Sequence, residues 1–434
     1  MKHCNNFIKF IKKTPTAFHA IKEIKVILDK KGFMELNEYD TWNLEANKKY
    51  YVTRNHSSIV AFKTPSNPSE SHFQIVASHS DSPCFKIKPN GILLSGSYTK
   101  LNTEKYGGTI LSTWLDKPLG IAGRIYTKEE NEIKENIIDL KNINLVIPNV
   151  AILMNREINT TFAYNPQVDL LPLLSASLDK DVTIQKYVAK ALDIDANKLI
   201  SHDLFIYNKD RGMLWGENNE FISAPQIDNL ECAYTSLIAF INSNVNDDII
   251  PTYACFDNEE VGSSTKQGAN STFLEDVLKR VHFAFSNESD GYFAKVAKSF
   301  LVSADNAHAL HPNHPEKSDA TNQVLMNKGI VIKSHASQSY TSDALSIAIF
   351  TSILDKANVP YQFFANRSDM ASGGTLGNIS SSHVSVPSLD IGLAQLAMHS
   401  SYETAGSNDI DHMINGLKAF FETNIKREKN NYSI

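Results

Sequence analysis

IIPTYACF at residues 249–256 is an apolar run that predicts a buried strand, and DNEEVGS at residues 257–263 follows it directly. Three carboxylates, Asp257, Glu259 and Glu260, therefore lie where a core strand ends. Adjacent carboxylates repel one another, and near a protein interior they resist ionising together. A solvated turn is the ordinary explanation for such a cluster, so the rest of the chain has to distinguish a turn from a functional site.

Other apolar segments also end in a side chain that can bind a metal. They are HFQIVAS (72–78) before His79, SFLVSA (299–304) before Asp305, and VPSLDIGLAQLAM (386–398) before His399. The segment IDNLECAYTSLIAFI (227–241) predicts a long, mostly buried helix with Asp228 at its start. Strands that alternate with helices indicate an α/β sheet, and such sheets carry their sites at the C-terminal edge of the strands.

The middle of the chain has a different pattern. After KIKPNG (86–91) come segments rich in Thr, Ile and Val, separated by polar turns and by a Lys- and Glu-rich stretch at 128–137. This pattern predicts a β-rich unit inserted into the α/β domain. We therefore divide the chain into a first catalytic part at 1–90, an insert at 91–220 and a second catalytic part at 221–434.

Composition and charge exclude several classes of protein. The chain has 434 residues, of which 42% are hydrophobic and 21% charged, and its formal net charge is −6. These values are typical of a globular protein and give no support for a nucleic-acid or membrane partner. The N-terminal segment lacks the continuous apolar core of a signal peptide, and four scattered cysteines favour reduced thiols, so we expect a cytoplasmic protein. These cysteines are Cys4, Cys84, Cys232 and Cys255.

The candidate ligands combine two histidines with several carboxylates. His79 can bind a metal through one ring nitrogen while Asp81, two residues later, holds the other. A lone His-x-Asp pair is more often part of a surface loop, so the wider set decides. The further candidates are Asp228, Glu259, Glu260, Asp305 and His399. Imidazole and carboxylate ligands suit Zn²⁺, Mn²⁺ or Co²⁺, often as a pair of ions that share one carboxylate.

Two consecutive glutamates can supply two different functions to such a centre. A pair of metal ions about 3.5–4 Å apart can hold a hydroxide and polarise a carbonyl group. The reaction also needs a carboxylate that is not a ligand and that takes the proton from water. Because neighbouring side chains diverge from one turn, one glutamate can bind metal while the other acts as the base. Nearby cations would then make the clustered charges tolerable.

Five motifs, in this order, resemble the aspartyl aminopeptidase and vacuolar aminopeptidase I family, which is metallopeptidase family 18. They are ASHSDSPC (77–84), PQIDNLECAY (225–234), FDNEEVGS (256–263), VSADNAHALHPNH (302–314) and QLAMHS (395–400). DNEEVGS together with SADNAHALHPN is highly specific, whereas any single motif is far less so. WLDKPLGIAGRI (114–125) and IPNVAILMNREIN (147–159) resemble the inserted domain of that family, so the resemblance extends over nearly the whole chain.

The resemblance implies a dinuclear zinc aminopeptidase that removes N-terminal residues from peptides. In that family the matching positions divide into two metal sites. Asp228 would bridge the two ions. His79 and Asp305 would complete one site, and Glu260 and His399 would complete the other.

The resemblance also implies roles for residues that do not bind metal. Glu259 would be the general base, and Asp81 would orient His79. His308, Lys333 and Tyr340 match positions that contact the substrate. Lys333 could pair with an acidic side chain or meet a backbone carbonyl, so the preference for an acidic or a neutral N-terminal residue stays open.

Members of this family assemble into tetrahedral dodecamers, so the resemblance also implies a homo-oligomer and makes the insert an oligomerisation domain. One departure stands out: relatives usually read IPNLAIHLNR where this chain reads IPNVAILMNR (147–156). The histidine that the insert normally lends to a neighbouring subunit is here Leu153. An apolar side chain cannot donate a hydrogen bond to a tetrahedral intermediate, so we hypothesise weaker stabilisation or a substitute residue.

We therefore expect a cytoplasmic, metal-dependent aminopeptidase that acts on peptides. Its α/β fold would have a central mixed sheet flanked by helices and an inserted β-rich oligomerisation domain. A deacylase of N-acyl amino acids on the same fold is one alternative, and it would prefer a blocked amine. A cage-forming binding protein with impaired catalysis is another, and it would bind metal without hydrolysing any peptide.

Overall fold

The computed structural model describes residues 2–176, 181–370, 373–429 and 431–434. The helices are α1 (Lys2–Ile11), α2 (Ala17–Lys30), α3 (Ile184–Leu192), α4 (Ile227–Asn242), α5 (Phe273–Phe285), α6 (Ser289–Ala297), α7 (Ala344–Ala357), α8 (Leu376–Ser380) and α9 (Asp409–Glu422). The first strands are β1 (Met34–Leu36), β2 (Lys49–Arg54), β3 (Ser58–Lys63), β4 (His72–His79), β5 (Cys84–Ser95), β6 (Tyr98–Tyr106), β7 (Leu119–Glu129), β8 (Glu132–Asp139), β9 (Leu173–Ser175), β10 (Leu199–Asn208), β11 (Met213–Trp215) and β12 (Phe221–Ala224). The later strands are β13 (Ile249–Phe256), β14 (Phe300–Ala304), β15 (Ala307–His308), β16 (Ile330–Ser334), β17 (Tyr361–Ala365), β18 (Ser388–Gly392), β19 (Ala394–Leu396), β20 (Glu403–Gly406), β21 (Lys426–Glu428) and β22 (Asn431–Ser433).

The central sheet has nine strands in the order β1-β2-β3-β13-β4-β14-β18-β16-β17. Strands β13, β4, β14 and β18 run parallel to one another, whereas β3 and β16 run antiparallel to their neighbours β13 and β18. Helices α1, α2, α4, α7 and α9 share one apolar core with the sheet, and α5 and α8 share another. The predicted α/β fold, with a central mixed sheet flanked by helices, is therefore confirmed.

The parallel strands in the middle of this sheet bring the predicted ligands to one edge. Strand β4 pairs with β13 so that His79 lies opposite Phe256, which directly precedes the acidic turn. On its other side β4 pairs with β14, which ends one residue before Asp305. All residues of β4, β13 and β14 are buried, as expected for strands with helices on both faces.

The middle of the chain forms a second sheet with six antiparallel strands in the order β8-β7-β10-β5-β6-β9. It has an apolar core of its own, in which Phe85 stacks edge-on against Trp114. A third sheet joins distant parts of the chain in the order β11-β12-β20-β19-β15. Among the described residues, no helix has both the length and the apolar character that crossing a membrane requires.

Candidate metal centre

An open cleft of about 340 Å³ lies at the C-terminal edge of the central sheet. Ten residues were assigned to the metal site, to catalysis or to substrate binding from the sequence. Nine of them line this cleft: His79, Asp228, Glu259, Glu260, Asp305, His308, Lys333, Tyr340 and His399. The tenth, Asp81, lies behind His79 and lines a neighbouring cavity instead. The fold thus gathers the candidate metal ligands and the candidate substrate-binding residues in one place.

Short backbone segments at the ends of strands and helices position these side chains. His79 is the last residue of β4, and Asp305 directly follows β14. Glu259 and Glu260 begin a single 3₁₀ turn after β13. Asn258 directly precedes that turn, and its φ of 62° lies in the left-handed region, where asparagine is among the better tolerated residues. Asp228 occupies the first turn of α4.

The two oxygens of Asp228 face two different histidines. His79 Nε2 lies 3.6 Å from Asp228 Oδ1 and 3.5 Å from Asp305 Oδ1. His399 Nε2 lies 3.3 Å from Asp228 Oδ2 and 3.4 Å from Glu260 Oε2. Two ligands at about 2.0–2.1 Å from a tetrahedral zinc ion are about 3.4 Å apart. The spacing of these atoms is therefore that of ligands around a shared ion.

Unsatisfied polar atoms in the cleft provide a test of whether a metal fits. Asp228 Oδ1 and Glu260 Oε1 are buried and accept no hydrogen bond from the residues that the structure describes. A buried acceptor without a partner is costly, and a cation would satisfy both. Donor atoms of His79, Asp228 and Glu260 all lie within 4.8 Å of one another. Imidazole and carboxylate donors at this spacing fit a divalent ion of the zinc type.

Burial and the charges of neighbouring carboxylates raise the pKa values of the two glutamates. Burial raises the pKa of Glu259 to about 8 against the lowering effect of His79, and the charge of Asp305 adds to the rise. Burial, followed by the charge of Asp228, raises the pKa of Glu260 well above its ordinary value. A bound divalent cation would lower the pKa of each of these carboxyl groups. The cleft is thus electrostatically suited to a cation.

The pKa of Asp305 is shifted in the opposite direction, downward. Burial would raise the pKa of its carboxyl, but Lys333 and His79 hold it well below the usual range. Lys333 Nζ lies 3.6 Å from Asp305 Oδ2 and 5.3 Å from the centre of the Tyr340 ring. Burial, together with the charge of Lys333, lowers the pKa of His308. This side of the cleft therefore presents a charged lysine, already paired with Asp305, beside a neutral imidazole.

Asp81 holds both His79 and the acidic turn. His79 Nδ1 lies 3.3 Å from Asp81 Oδ1 and 3.1 Å from the backbone oxygen of Asp81. The backbone N–H groups of Glu259 and Glu260 donate to the two carboxylate oxygens of Asp81, each at 3.2 Å. The Tyr106 hydroxyl donates to Asp81 Oδ2 at 2.6 Å. One carboxylate therefore connects β4, the turn after β13 and the six-stranded sheet.

Three contacts of the centre were missed in the sequence. Tyr106 reaches Asp81 from the end of β6, and the backbone oxygen of Gly108 lies 3.0 Å from His399 Nδ1. The buried carboxylate of Glu403 accepts the backbone N–H groups of Asp228 and His399. None of the three lies in a recognisable motif. Their partners are distant in sequence, so no local pattern indicates these contacts.

Leu153 lies outside this cleft. It belongs to a segment without helix or strand between β8 and β9, and its side chain is 78% exposed. Its neighbour Met154 is 81% exposed. Within one chain, Leu153 is not among the residues that line the cleft.

Comparisons with known proteins agree with this arrangement. A family model described as aminopeptidase I zinc metalloprotease (M18) matches residues 10–421. A probable M18 family aminopeptidase 2 of Clostridium novyi (strain NT) is 46% identical over 429 residues, which are 97% of this chain and 98% of the relative. A chain of the Ape4 and Nbr1 complex, solved by cryo-EM, has a TM-score of 0.92 and 32% identity, over 97% of this chain and 85% of that chain. The S. cerevisiae mApe1 dodecamer has a TM-score of 0.83 and 28% identity, over 96% of both chains.

Proposed function

Since this chain belongs to the aminopeptidase I zinc metalloprotease family, M18, we propose that its cleft binds two divalent metal ions and uses Glu259 as the general base. The general activity follows from membership of this family: the chain is a metal-dependent aminopeptidase, a hydrolase that acts on peptides. The number of ions and the roles of individual residues are the proposal.

A single observation supports the pair of ions most strongly: the two oxygens of Asp228 are divided between His79 and His399. We assign Asp228 as the bridging ligand. Asp305 lies with His79 on one side of it, and Glu260 lies with His399 on the other. Two ligand sets that share one carboxylate suit two neighbouring ions.

Bound zinc supplies Lewis acidity, which polarises a carbonyl group and lowers the pKa of water. Glu259 lies at the same turn as Glu260, and its Oε2 is 4.0 Å from His79 Nε2. In the proposed reaction Glu259 accepts one proton from water while the water oxygen bonds to the carbonyl carbon of the first residue. The C–N bond then breaks, and Glu259 returns the proton to the departing amine. A bound cation would lower the raised pKa of Glu259, so that its carboxylate can accept the proton from water.

The remaining residues of the cleft are assigned to the substrate. His308, Lys333 and Tyr340 line the same cleft beside Asp305, so we propose that they contact the N-terminal residue of the peptide. Asp81 is assigned as the residue that orients His79, which its contact with Nδ1 supports.

We also propose that the chain assembles with copies of itself, because the solved mApe1 relative is a dodecamer. The six-stranded sheet and its connecting segments are the proposed oligomerisation domain; they lie within the insert at 91–220 except for the start of β5 at Cys84. Exposed apolar side chains at Leu153 and Met154 support an interface there. The four cysteines are free thiols, which supports the proposed cytoplasmic location.

The decisive experiment combines substrates with a conservative variant. Metal-stripped protein is restored with Zn²⁺, Mn²⁺ or Co²⁺ and tested on chromogenic substrates that carry Asp, Glu, Leu, Met or Lys, with an N-acetylated control. Cleavage of free-amine substrates only is expected, whereas cleavage of the acetylated control alone would indicate the deacylase. Metal uptake without turnover of any substrate would indicate a binding protein.

Glu259→Gln tests the base in the same assay. We expect the variant to keep its fold and its metal content but to lose about 10²–10⁴-fold in kcat, because the amide cannot accept the proton. Glu288→Gln, at an exposed position, is the matched control and should retain full activity. Near-normal turnover by Glu259→Gln would remove Glu259 from the role of base.

A further inference from the structure

We infer that Glu403 is a positioning residue of the metal centre, whose carboxylate holds the backbone at both Asp228 and His399. The inference rests on the proposed two-metal function, in which these two residues are ligands. It concerns a carboxylate that does not line the cleft with the ligands.

The contacts of Glu403 join two ligands that belong to different parts of the fold. Glu403 Oε2 accepts the backbone N–H of Asp228 at 3.0 Å, and Oε1 accepts the backbone N–H of His399 at 2.7 Å. Glu403 is only 1% exposed. Hydrogen bonds from backbone N–H groups to a carboxylate are short and strong, so this side chain fixes the separation of the two segments.

The third sheet explains why Glu403 lies there. Glu403 is the first residue of β20 and pairs with Ala224, the last residue of β12. Only residues 225–226 separate β12 from the start of α4, where Asp228 lies. The pairing of two strands from distant parts of the chain therefore puts the carboxylate beside the backbone of the bridging ligand.

His399 needs such support because its backbone is unusual. Its φ of 67° lies in the left-handed region, which residues other than glycine seldom adopt. Four groups hold it there. Glu403 accepts its N–H, and the Gly108 oxygen contacts its Nδ1. The Ile110 N–H and the Thr109 hydroxyl donate to its carbonyl at 2.9 Å and 3.1 Å. A residue in a sparsely populated conformation persists when its surroundings over-determine it.

A chain of buried amides holds Glu403 in turn. Gln395 Nε2 donates to Glu403 Oε1 at 3.4 Å, and Asn306 Nδ2 donates to Gln395 Oε1 at 2.8 Å. The same Asn306 nitrogen lies 3.2 Å from the carbonyl oxygen of Ile227 and 3.2 Å from Glu231 Oε2. Asn306 follows Asp305, and Ile227 precedes Asp228. The network therefore reaches the backbone next to a third ligand, Asp305.

Glu403→Gln is the sharpest test because it preserves the size of the side chain. The amide keeps one acceptor oxygen, and its NH₂ group would face a backbone N–H, so one of the two ligand segments loses its partner. We expect a 10–100-fold loss of affinity for Co²⁺, typical of lost support behind a metal ligand, and a change in the visible absorption of the bound Co²⁺. We also expect kcat to fall more than KM rises.

Glu422→Gln is a matched control. Glu422 Oε1 also accepts a backbone N–H, that of Asn244 at 2.7 Å, but it lies at the end of α9 and does not line the cleft. Its Co²⁺ affinity, Co²⁺ spectrum and activity should match those of the wild type. Both variants are compared by thermal unfolding of the metal-free proteins, which reports on a merely structural role.

The outcomes separate this inference from its premise. Wild type that binds fewer than two Co²⁺ ions per chain would remove the two-metal proposal, and the inference with it. Wild type with two ions and a folded Glu403→Gln variant of unchanged Co²⁺ affinity and spectrum would overturn the inference alone. If Glu403→Gln does not fold, Gln395→Met is tested instead, because it removes the hydrogen bond that Gln395 donates to Glu403. It is expected to change the Co²⁺ spectrum in the same direction, and an unchanged spectrum would contradict the inference.

Discussion

Two adjacent glutamates in one turn have different surroundings, and these differences fit different roles. The Glu260 side chain is 4% exposed, and its Oε2 lies 3.4 Å from His399 Nε2, within the range expected of two ligands around one ion. The Glu259 side chain is 15% exposed, and its Oε2 lies 4.0 Å from His79 Nε2. The glutamate that is farther from imidazole and closer to solvent is the better candidate for exchanging a proton with water.

Burial also lowers the pKa of a histidine far from the cleft, and we expect this shift to make the protein less stable in acid. Burial lowers the pKa of His72 to about 4, against an ordinary value near 6.5. The unfolded chain therefore binds more protons than the folded chain between pH 6.5 and pH 4, and stability falls as the pH falls through that range. Between pH 7.5 and pH 5.5 this one group should lower the free energy of unfolding by about 1 kcal/mol.

His72→Gln measures this contribution. Urea unfolding is followed at pH 7.5 and pH 5.5 at one protein concentration. The variant should lose about 1 kcal/mol less than the wild type between the two pH values, whatever its absolute stability. His314→Gln, at an exposed position, should lose as much as the wild type. Equal losses in wild type and His72→Gln would contradict the assignment.

The close approach of two strands sets the position of Asp305. A Cβ atom added at Gly392 on β18 would lie 2.1 Å from the backbone oxygen of Asp305. Backbone atoms cannot avoid such a contact by rotating a side chain, so β14 and β18 would have to move apart. Asp305 would move with its strand, and with it a proposed metal ligand.

Gly392→Ala should therefore weaken metal binding as well as stability. We expect overpacking to lower the free energy of unfolding by about 1–3 kcal/mol and the affinity for Zn²⁺ to fall with it. Gly416→Ala is the control, since its added Cβ would meet Ile330 Cδ1 at 2.5 Å in the core away from the cleft. That variant should be less stable yet bind Zn²⁺ normally, and the same result for Gly392→Ala would show that Asp305 tolerates the shift.

Strand ends were predictable from the sequence, but strand order was not. The apolar runs before His79 and Asp305 are recognisable because both faces of β4 and β14 are buried. Tyr106 and Glu403 were missed because their contacts depend on how distant strands pair. Glu403 reaches Asp228 only because β20 lies beside β12, and nothing within either segment indicates that pairing. The roles of the ligands were inferred from a family resemblance. The distances between the candidate ligand atoms support those roles.

The whole chain exposes an apolar segment that a monomer would leave in water. Val150, Ile152, Leu153 and Met154 are between 47% and 81% exposed in the segment that joins β8 to β9. Exposed apolar clusters commonly mark protein interfaces. A second copy of the chain would bury them, in agreement with the proposed assembly. Leu153 does not line the cleft of its own chain, so we expect any effect on catalysis to come through a neighbouring copy.

Leu153→His tests this link between assembly and catalysis. If the segment reaches a neighbouring cleft, the imidazole adds a hydrogen-bond donor where the transition state gains negative charge, and kcat should rise by about tenfold or more. Met154→Asp puts a charge into the apolar segment and should lower the oligomer mass measured by light scattering. In the double variant the gain from Leu153→His should disappear together with the assembly. A kcat that is unchanged or lowered by Leu153→His would contradict the hypothesis, and a gain that persists in dissociated protein would assign the effect to the chain's own cleft.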